Sequence, residues 1–193
     1  MDFLEESEKL INRIVDELGN KAIPKLISFL FDSDAKTAEL AAEVLKNLES
    51  CEKVKDELGK RIQNEEKSVG MFYAADLLAD MNCKGSVSVL YRLLDMVEDE
   101  KEAIIVYSAL LKLGEKEAEK YLLYEFEEDP YMRKSLFDLA IALEPSDNPE
   151  VFKAILEKAK EDEELVEVLQ SMCNRHPAFF QLLPDDMKDR FRE

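Results

Sequence analysis

The chain has 193 residues, of which 46% are hydrophobic and 36% charged, with 44 acidic and 26 basic side chains and a formal net charge of −18. This composition supplies enough apolar material for a packed core and too much for a disordered chain. The acidic excess repels nucleic-acid phosphates and anionic membrane surfaces, so we expect neither as a partner.

Glycine and proline are scarce, with 5 and 6 residues respectively. A β protein of this length would need turn residues about every 8–12 positions, so we expect an all-α fold. The amino-terminal sequence is MDFLEESEKL. It lacks the basic flank and apolar stretch of a signal peptide, and no apolar run approaches the roughly 18 residues that span a bilayer. These features predict a cytoplasmic protein.

Apolar residues recur with a period close to 32 residues. One series is Leu26, Leu58, Leu90 and Leu122, and a second is Leu48, Met81, Leu113, Leu143 and Met172. Each period has room for two amphipathic helical faces. The sequence therefore predicts five helical hairpins, near residues 21–50, 52–82, 84–114, 116–144 and 149–175, with single helices near 2–18 and 178–192.

The predicted breaks between these helices have suitable chemistry. Gly19 and Gly114 follow Leu18 and Leu113, as glycines that end helices do. The tripeptide 148–150, Asn-Pro-Glu, has the order that begins a helix. The linker-like run 144–149 is too short to separate domains, so we expect a single domain over residues 1–193.

Two segments resemble a known repeat family. The segment Ala22–Leu48 has a proline near its start, aspartates in its turn and paired alanines before a leucine, and residues 129–143 have the sequence DPYMRKSLFDLAIAL, with Arg133 after an Asp-Pro opening. These features are similar to HEAT and HEAT-like repeats. The resemblance covers roughly residues 20–175 and implies a right-handed α-solenoid of about five two-helix repeats with flanking terminal helices.

The match also predicts contacts within and between repeats. The turn aspartate recurs as Asp34, Asp99 and Asp129, and its side chain can accept hydrogen bonds from the amides that open the second helix. The arginine of the family is present only at position 133, since the equivalent positions are Ala38, Met71 and Ala103. We therefore expect most of the family's hydrogen-bond ladder between repeats to be absent.

The three cysteines are Cys51, Cys83 and Cys173, and no two are spaced as C-x-x-C. Cys51 and Cys83 are one repeat apart, and equivalent positions in stacked hairpins should lie about 8–10 Å apart. That separation exceeds the Cα limit of roughly 7 Å for a disulfide. We therefore expect three reduced thiols that act as small hydrophobic residues.

Catalytic motifs are scarce. His176 is the single histidine, and Cys173-x-x-His176 supplies at most half of a metal site. Because it precedes Pro177, we interpret His176 as a loop or capping residue. No glycine-rich phosphate-binding motif occurs. The sequence therefore predicts no catalytic residue, no cofactor and no metal.

The second helices line the concave surface in the family that the chain resembles. Phe72, Ile104, Leu111 and Ile141 are apolar at positions that the periodicity would expose. They either pack between hairpins or under the carboxy-terminal helix, or they form an exposed apolar groove bordered by acids. On the second interpretation the candidate partner-binding residues are Phe72, Asp76, Asp80, Ile104, Ser108, Leu111, Asp138 and Ile141.

These observations favour a non-enzymatic interaction module that binds a basic or amphipathic peptide or helix of another protein. Two alternatives remain open. HEAT-like folds also include enzymes such as bilin lyases, although no residue here matches a lyase catalytic residue, and the chain could instead be a structural subunit of a larger complex.

Overall fold

The computed structural model describes residues 13, 16–32, 34–128, 136–188 and 191. These residues form eleven α-helices and no strand, which confirms the predicted all-α class. The helices are α1 Ile23–Asp32, α2 Ala35–Lys46, α3 Cys51–Gln63, α4 Gly70–Asp80, α5 Val87–Leu94, α6 Glu100–Lys112, α7 Lys116–Glu128, α8 Leu136–Leu143, α9 Pro149–Lys158, α10 Leu165–Arg175 and α11 Asp185–Lys188. Short 3-10 turns cover Gly19–Ala22, Lys84–Ser86 and Pro177–Leu182.

The predicted helical hairpins agree with these bounds. Each of the five predicted ranges covers two consecutive helices, from α1 and α2 to α9 and α10, although α3 begins at Cys51, one residue before its range. The predicted terminal helix near 178–192 is instead a 3-10 turn followed by the four-residue α11. Pro184 separates the two, because proline has no amide to continue a helix. The predicted helix near 2–18 lies largely outside the described residues, although 16–18 are helical.

Two aspartates occupy the capping positions that the sequence predicts, while Asp129 and Arg133 lie outside the described residues. Oδ1 of Asp34 accepts hydrogen bonds from the amides of Lys36 and Thr37 at the start of α2, at 3.0 and 3.3 Å. Oδ1 of Asp99 accepts from the amide of Glu102, at 2.9 Å. The amide of Thr37, followed by its hydroxyl, lowers the pKa of Asp34 below 3.8. Both carboxylates satisfy amides that an isolated helix start leaves unpaired.

The end of α6 and the start of α9 also lie where the sequence predicts them. Gly114 has a φ of +96°, a conformation that glycine adopts without a steric penalty. Its amide donates to the carbonyl of Leu111, and the next amide, of Glu115, donates to the carbonyl of Leu110. This is the Schellman pattern of hydrogen bonds. At α9, Asn148 accepts from the amide two residues later, with proline at the first helical position.

The chain divides into two compact units, unit 1 comprising Met1–Ala109 and unit 2 comprising Leu110–Glu193, with the division inside α6. The single domain over residues 1–193 therefore stays a prediction.

In unit 1, α1 contacts α2 and α4, α2 contacts α4, and α3 contacts α4 and α5. Its largest fully buried side chains are Ile23, Leu30, Phe31, Leu45, Leu58, Met71, Leu78, Leu90 and Leu93. The backbones of α1 and α4 approach closely at Gly70, where a Cβ atom would lie 1.8 Å from the carbonyl oxygen of Leu30. Only glycine permits α4 to begin against the backbone of α1 in this way.

In unit 2, α8 contacts α7 and α10, and α9 contacts α10. The 3-10 turn that follows α10 also packs on α9 and α10. Phe126 and Phe152 are fully buried, and the ring of Phe152 stacks on that of Phe179 with centroids 4.7 Å apart. This stacking fixes the turn after α10 to the core.

Candidate protein-interaction surface

Phe72 and Ile104, two of the predicted partner-binding residues, lie in the core of unit 1. Their exposed fractions are 5% and 6%. The ammonium of Lys67 lies 5.9 Å from the centroid of the Phe72 ring. Both side chains are therefore buried, and neither is available at the surface as the exposed-groove interpretation requires.

The exposed apolar positions of the second helices lie one residue further along the chain. Leu40 on α2 is 41% exposed and Ile105 on α6 is 38% exposed. Tyr73 on α4 is partly exposed. These three residues are separated by 33 and 32 residues, so they occupy one position of the repeat. We call this set the apolar row.

The apolar row was present in the sequence as a periodic signal. Its members stand eight residues before Leu48, Met81 and Leu113, whereas Phe72 and Ile104 stand nine residues before Met81 and Leu113. One residue turns a helical position by about 100°, which is enough to exchange a buried side for an exposed one.

Acidic side chains accompany the apolar row on α2 and α4. Glu43, Asp76 and Asp80 are all exposed. Nζ of Lys46 on α2 lies 2.6 Å from Oδ2 of Asp80 on α4, which joins the two helices. The hydrogen bond to Asp80 is the largest cause of a raised pKa at Lys46, and the charges of Glu43 and Asp76 add to it. We call Glu43, Asp76 and Asp80, together with Lys46, the acidic group.

The remaining predicted partner-binding residues differ in how exposed they are. Ser108, one turn after Ile105 on α6, is partly exposed. In unit 2, Leu111 is partly exposed, while Asp138 and Ile141 are exposed on α8, the latter by 50%. The structure therefore leaves Leu111 and Ile141 accessible, in contrast to Phe72 and Ile104.

Polar contacts join successive hairpins of unit 1 at nearly the repeat spacing. Lys46 and Asp80 are 34 residues apart, and Nζ of Lys67 donates to Oε2 of Glu102, 35 residues later, at 2.8 Å. Lys67 also pairs with Glu98, at 3.0 Å. These ion pairs between hairpins involve lysines.

Unit 2 has comparable contacts between its two hairpins. Oε2 of Glu119 on α7 accepts from the hydroxyl of Ser146 at 2.6 Å, and Oε1 accepts from Nδ2 of Asn148 at 2.9 Å. Glu144, at the end of α8, pairs with Arg175 of α10 at 2.9 Å. Lys158 of α9 donates to the carbonyl of Phe126 near the end of α7.

Cys51 and Cys83 form a disulfide, so the expectation of three reduced thiols is wrong for this pair. Their Cα atoms are 6.0 Å apart. The predicted spacing applied to the axes of packed helices, but Cys51 is the first residue of α3 and Cys83 precedes the 3-10 turn that leads into α5. The contact between α3 and α5 brings these two helix starts closer than an axis-to-axis distance. Cys173 is free and buried, and burial raises the pKa of its thiol.

One set of three potential metal ligands occurs among the described residues, namely Cys51, Glu52 and Cys83, with ligand atoms within 4.8 Å of one another. The two sulfurs are bonded to each other, so neither is a thiolate that could bind a metal. His176 lies between α10 and the following 3-10 turn, as the sequence predicts, with its ring 5.5 Å from that of Phe179.

An open groove of about 580 Å³ lies in unit 1 between the end of α3 and the turn from α5 to α6. Its lining consists of Ile62, Gln63, Glu65, Lys67, Arg92, Asp95, Met96, Val97 and Glu98. Lys67 is committed to two ion pairs, and the lining contains no serine, cysteine or histidine.

Comparison with protein families, with curated proteins and with solved structures finds no match to this chain. Within the described part of the chain, no helix combines the length and the apolar character that crossing a membrane requires.

Proposed function

We propose that this chain is a non-enzymatic protein-interaction module whose second helices bind a basic, amphipathic helix of another protein. The observation that carries the proposal is the apolar row of Leu40, Tyr73 and Ile105, which repeats on three successive second helices of unit 1. Single exposed apolar residues are common on protein surfaces, but a row at a fixed repeat position is typical of a binding surface.

The proposal includes a HEAT-like solenoid in which the hairpins stack side by side. Support comes from the resemblance of Ala22–Leu48 to a HEAT unit and from ion pairs between residues one repeat apart, such as Lys46 with Asp80. In such a stack, equivalent residues of neighbouring helices lie about 8–10 Å apart. A ligand helix presents residues i, i+7 and i+14 on one side at steps of about 10 Å, so these residues match the apolar row.

The charge of the ligand follows from the acidic group. The group contains three carboxylates, Glu43, Asp76 and Asp80, and the whole chain has a net charge of −18. A basic ligand is attracted over several ångströms before it makes contact, while nucleic acid and other acidic molecules are repelled. Apolar contacts then supply affinity, and the charges supply the rate of association and the choice of ligand.

A titration with designed helical peptides tests this proposal. The first peptide has leucine at i, i+7 and i+14 with lysine at most exposed positions, the second has glutamate instead of lysine, and the third contains the residues of the first in scrambled order. We expect the first peptide to bind at least about tenfold more tightly than the other two, with an affinity that falls as salt rises. Fluorescence anisotropy of the labelled peptides measures this difference.

Matched variants locate the binding surface. Ile105→Lys should weaken binding of the first peptide about tenfold or more, because it removes an apolar contact and places a cation opposite a basic ligand. Tyr124→Lys is the control, since Tyr124 is 56% exposed but lies on α7, a first helix. Equal affinity for all three peptides, or equal losses in the two variants, would contradict the proposal.

We also propose the cytoplasm as the location of the protein, on the sequence considerations given above. The Cys51–Cys83 disulfide is evidence against this location, because stable disulfides are typical of oxidising compartments. Rapid alkylation of thiols in intact cells of the source organism, followed by mass spectrometry, measures the fraction of the pair that is reduced. A fully oxidised pair at all growth stages would contradict a cytoplasmic location.

A further inference from the structure

The environment of the Cys51–Cys83 disulfide is asymmetric. Cys51 is partly exposed, whereas Cys83 is 4% exposed. Cys51 is also the first residue of α3, a helix of 13 residues. Amides at a helix start favour the thiolate form of a cysteine, which is the form that reacts with disulfides.

An ion pair lies next to the partly exposed Cys51. Sγ of Cys51 lies 4.0 Å from Oε1 of Glu52, whose other oxygen pairs with Lys55. This ion pair offsets the carboxylate charge that would otherwise disfavour a thiolate nearby. Gly85, in the turn after Cys83, lies beside this ion pair, since a Cβ atom there would be 3.7 Å from Nζ of Lys55 and 3.9 Å from Oε1 of Glu52.

We propose that Cys51 is a site of reversible modification by low-molecular-weight disulfides, of which glutathione disulfide is an example, and that Cys83 is the resolving cysteine. In the first step the Cys51 thiolate attacks one sulfur of the small disulfide, which forms a mixed disulfide and releases one small thiolate. In the second step the Cys83 thiolate attacks Sγ of Cys51, which forms the protein disulfide and releases the second small thiolate.

The two steps balance. The protein dithiol loses two electrons and two protons, and the small disulfide gains them as two small thiols. The reverse reaction begins at the exposed sulfur, because an incoming thiolate reaches Cys51 more easily than the buried Cys83. The bond joins the second and third hairpins of unit 1 and closes a loop of 32 residues, so oxidation restricts the unfolded chain and stabilises the unit.

Intact-mass measurements on the full chain test the assignment of roles. The protein is reduced with a phosphine, freed of reductant and mixed with excess glutathione disulfide. The wild-type chain should lose two hydrogen atoms through a transient adduct of one glutathione. Cys83→Ser should retain that adduct on Cys51, and Cys51→Ser should react about tenfold more slowly than Cys83→Ser, because its remaining pair member is buried. Cys173→Ser should behave as the wild type does.

Thermal unfolding of the same samples controls for misfolding. The oxidised wild-type chain should melt about 10 °C above the reduced chain, and the reduced Cys51→Ser and Cys83→Ser variants should melt near the reduced wild type. The proposal is overturned if folded Cys51→Ser and Cys83→Ser form adducts at equal rates. It is also overturned if the reduced wild-type chain keeps both thiols in excess glutathione disulfide.

Discussion

Among the glycines, Gly70 has the least room for a Cβ atom. Its missing Cβ would lie 1.8 Å from the carbonyl oxygen of Leu30, and neither backbone can rotate away as a side chain would. We predict that Gly70→Ala lowers the free energy of unfolding by about 3 kcal/mol, because α4 must move away from α1. Urea denaturation followed by circular dichroism measures the change.

Gly59 provides the matched control for this substitution. It lies inside α3, and a Cβ there would meet only the end of the Arg92 side chain, at 3.5 Å. Gly59→Ala should be neutral or should stabilise the protein by up to about 1 kcal/mol, because alanine favours a helix interior. A Gly70→Ala protein as stable as Gly59→Ala would show that α1 and α4 are not in backbone contact.

Ile104 and Ile105 are adjacent residues with opposite environments, the first buried and the second exposed. Ile104→Lys should lower the melting temperature by at least about 10 °C, because it buries an ammonium without a partner. Ile105→Lys should change it by no more than a few degrees, since most surface substitutions change stability by less than about 0.5 kcal/mol. Differential scanning calorimetry of both variants checks the assignment, and the opposite order of melting temperatures would refute it.

Asp34 gives a pH dependence whose sign follows from its hydrogen bonds. Folding lowers its pKa below 3.8, mainly through the amide of Thr37, so the carboxylate stabilises the folded state above that pH. The contribution is lost as the pH falls through the folded-state pKa. Asparagine can cap α2 but does not titrate.

The melting temperature of Asp34→Asn should therefore approach or exceed that of the wild type as the pH is lowered from about 4 to 2. Other acids titrate in both proteins, so the difference between their melting temperatures isolates Asp34. A constant difference over this pH range would be inconsistent with the proposed cap.

At the scale of the elements, Glu119 connects the two hairpins of unit 2. Its carboxylate accepts from the hydroxyl of Ser146, which is 2% exposed, and from the side-chain amide of Asn148. Glu119→Ala should lower the free energy of unfolding by about 1–3 kcal/mol, because the buried hydroxyl loses its acceptor. Glu117→Ala is the control and should have little effect, since Glu117 forms an exposed pair with Lys120 on the same helix.

Chemical denaturation of the Glu119 and Glu117 variants measures both changes in parallel. Equal stabilities would mean that the contact between α7 and the turn before α9 contributes nothing to unit 2.

The helices were largely predictable from sequence because two independent patterns agree on them. The period near 32 places the hairpins, and apolar spacing within each period places the helices. Ends were predictable where one residue has a specific backbone role, as at Asp34, Gly114 and Asn148. The last predicted helix failed because apolar spacing continues across Pro184, although proline interrupts the helix there.

The exposed side of each helix was less predictable than the helix itself. A repeat of 32 residues indicates which residues are equivalent, but not which residue of each repeat is exposed. It therefore cannot distinguish Phe72 from Tyr73 or Ile104 from Ile105. The two side chains of each pair point in directions about 100° apart around the helix, and the helices packed on either side determine which one is buried.

The disulfide was missed for a related reason. The spacing of about 8–10 Å holds between the axes of packed helices. Cys51 and Cys83 lie instead where the turns before α3 and α5 approach each other, and their Cα atoms are closer than the axes.

At the scale of the whole molecule, the net charge of −18 limits the ligands that can approach. Acidic residues are distributed along the chain. The electrostatic field of the protein therefore attracts basic ligands but does not select where on the surface they bind. The place at which a ligand binds must therefore be determined by direct contacts. In unit 1, the apolar row and the acidic group combine apolar contacts with negative charge. The central claim is therefore the location of the ligand on the second helices.

Hydrogen–deuterium exchange of the full chain, with and without saturating amounts of the leucine–lysine peptide, tests this location most directly. Amides of a bound helix face exchange more slowly because local opening is suppressed. The account predicts slower exchange within 35–46, 70–80 and 100–112, with no change in the first helices 51–63 and 87–94. Slower exchange in those first helices, or in unit 2 alone, would contradict it.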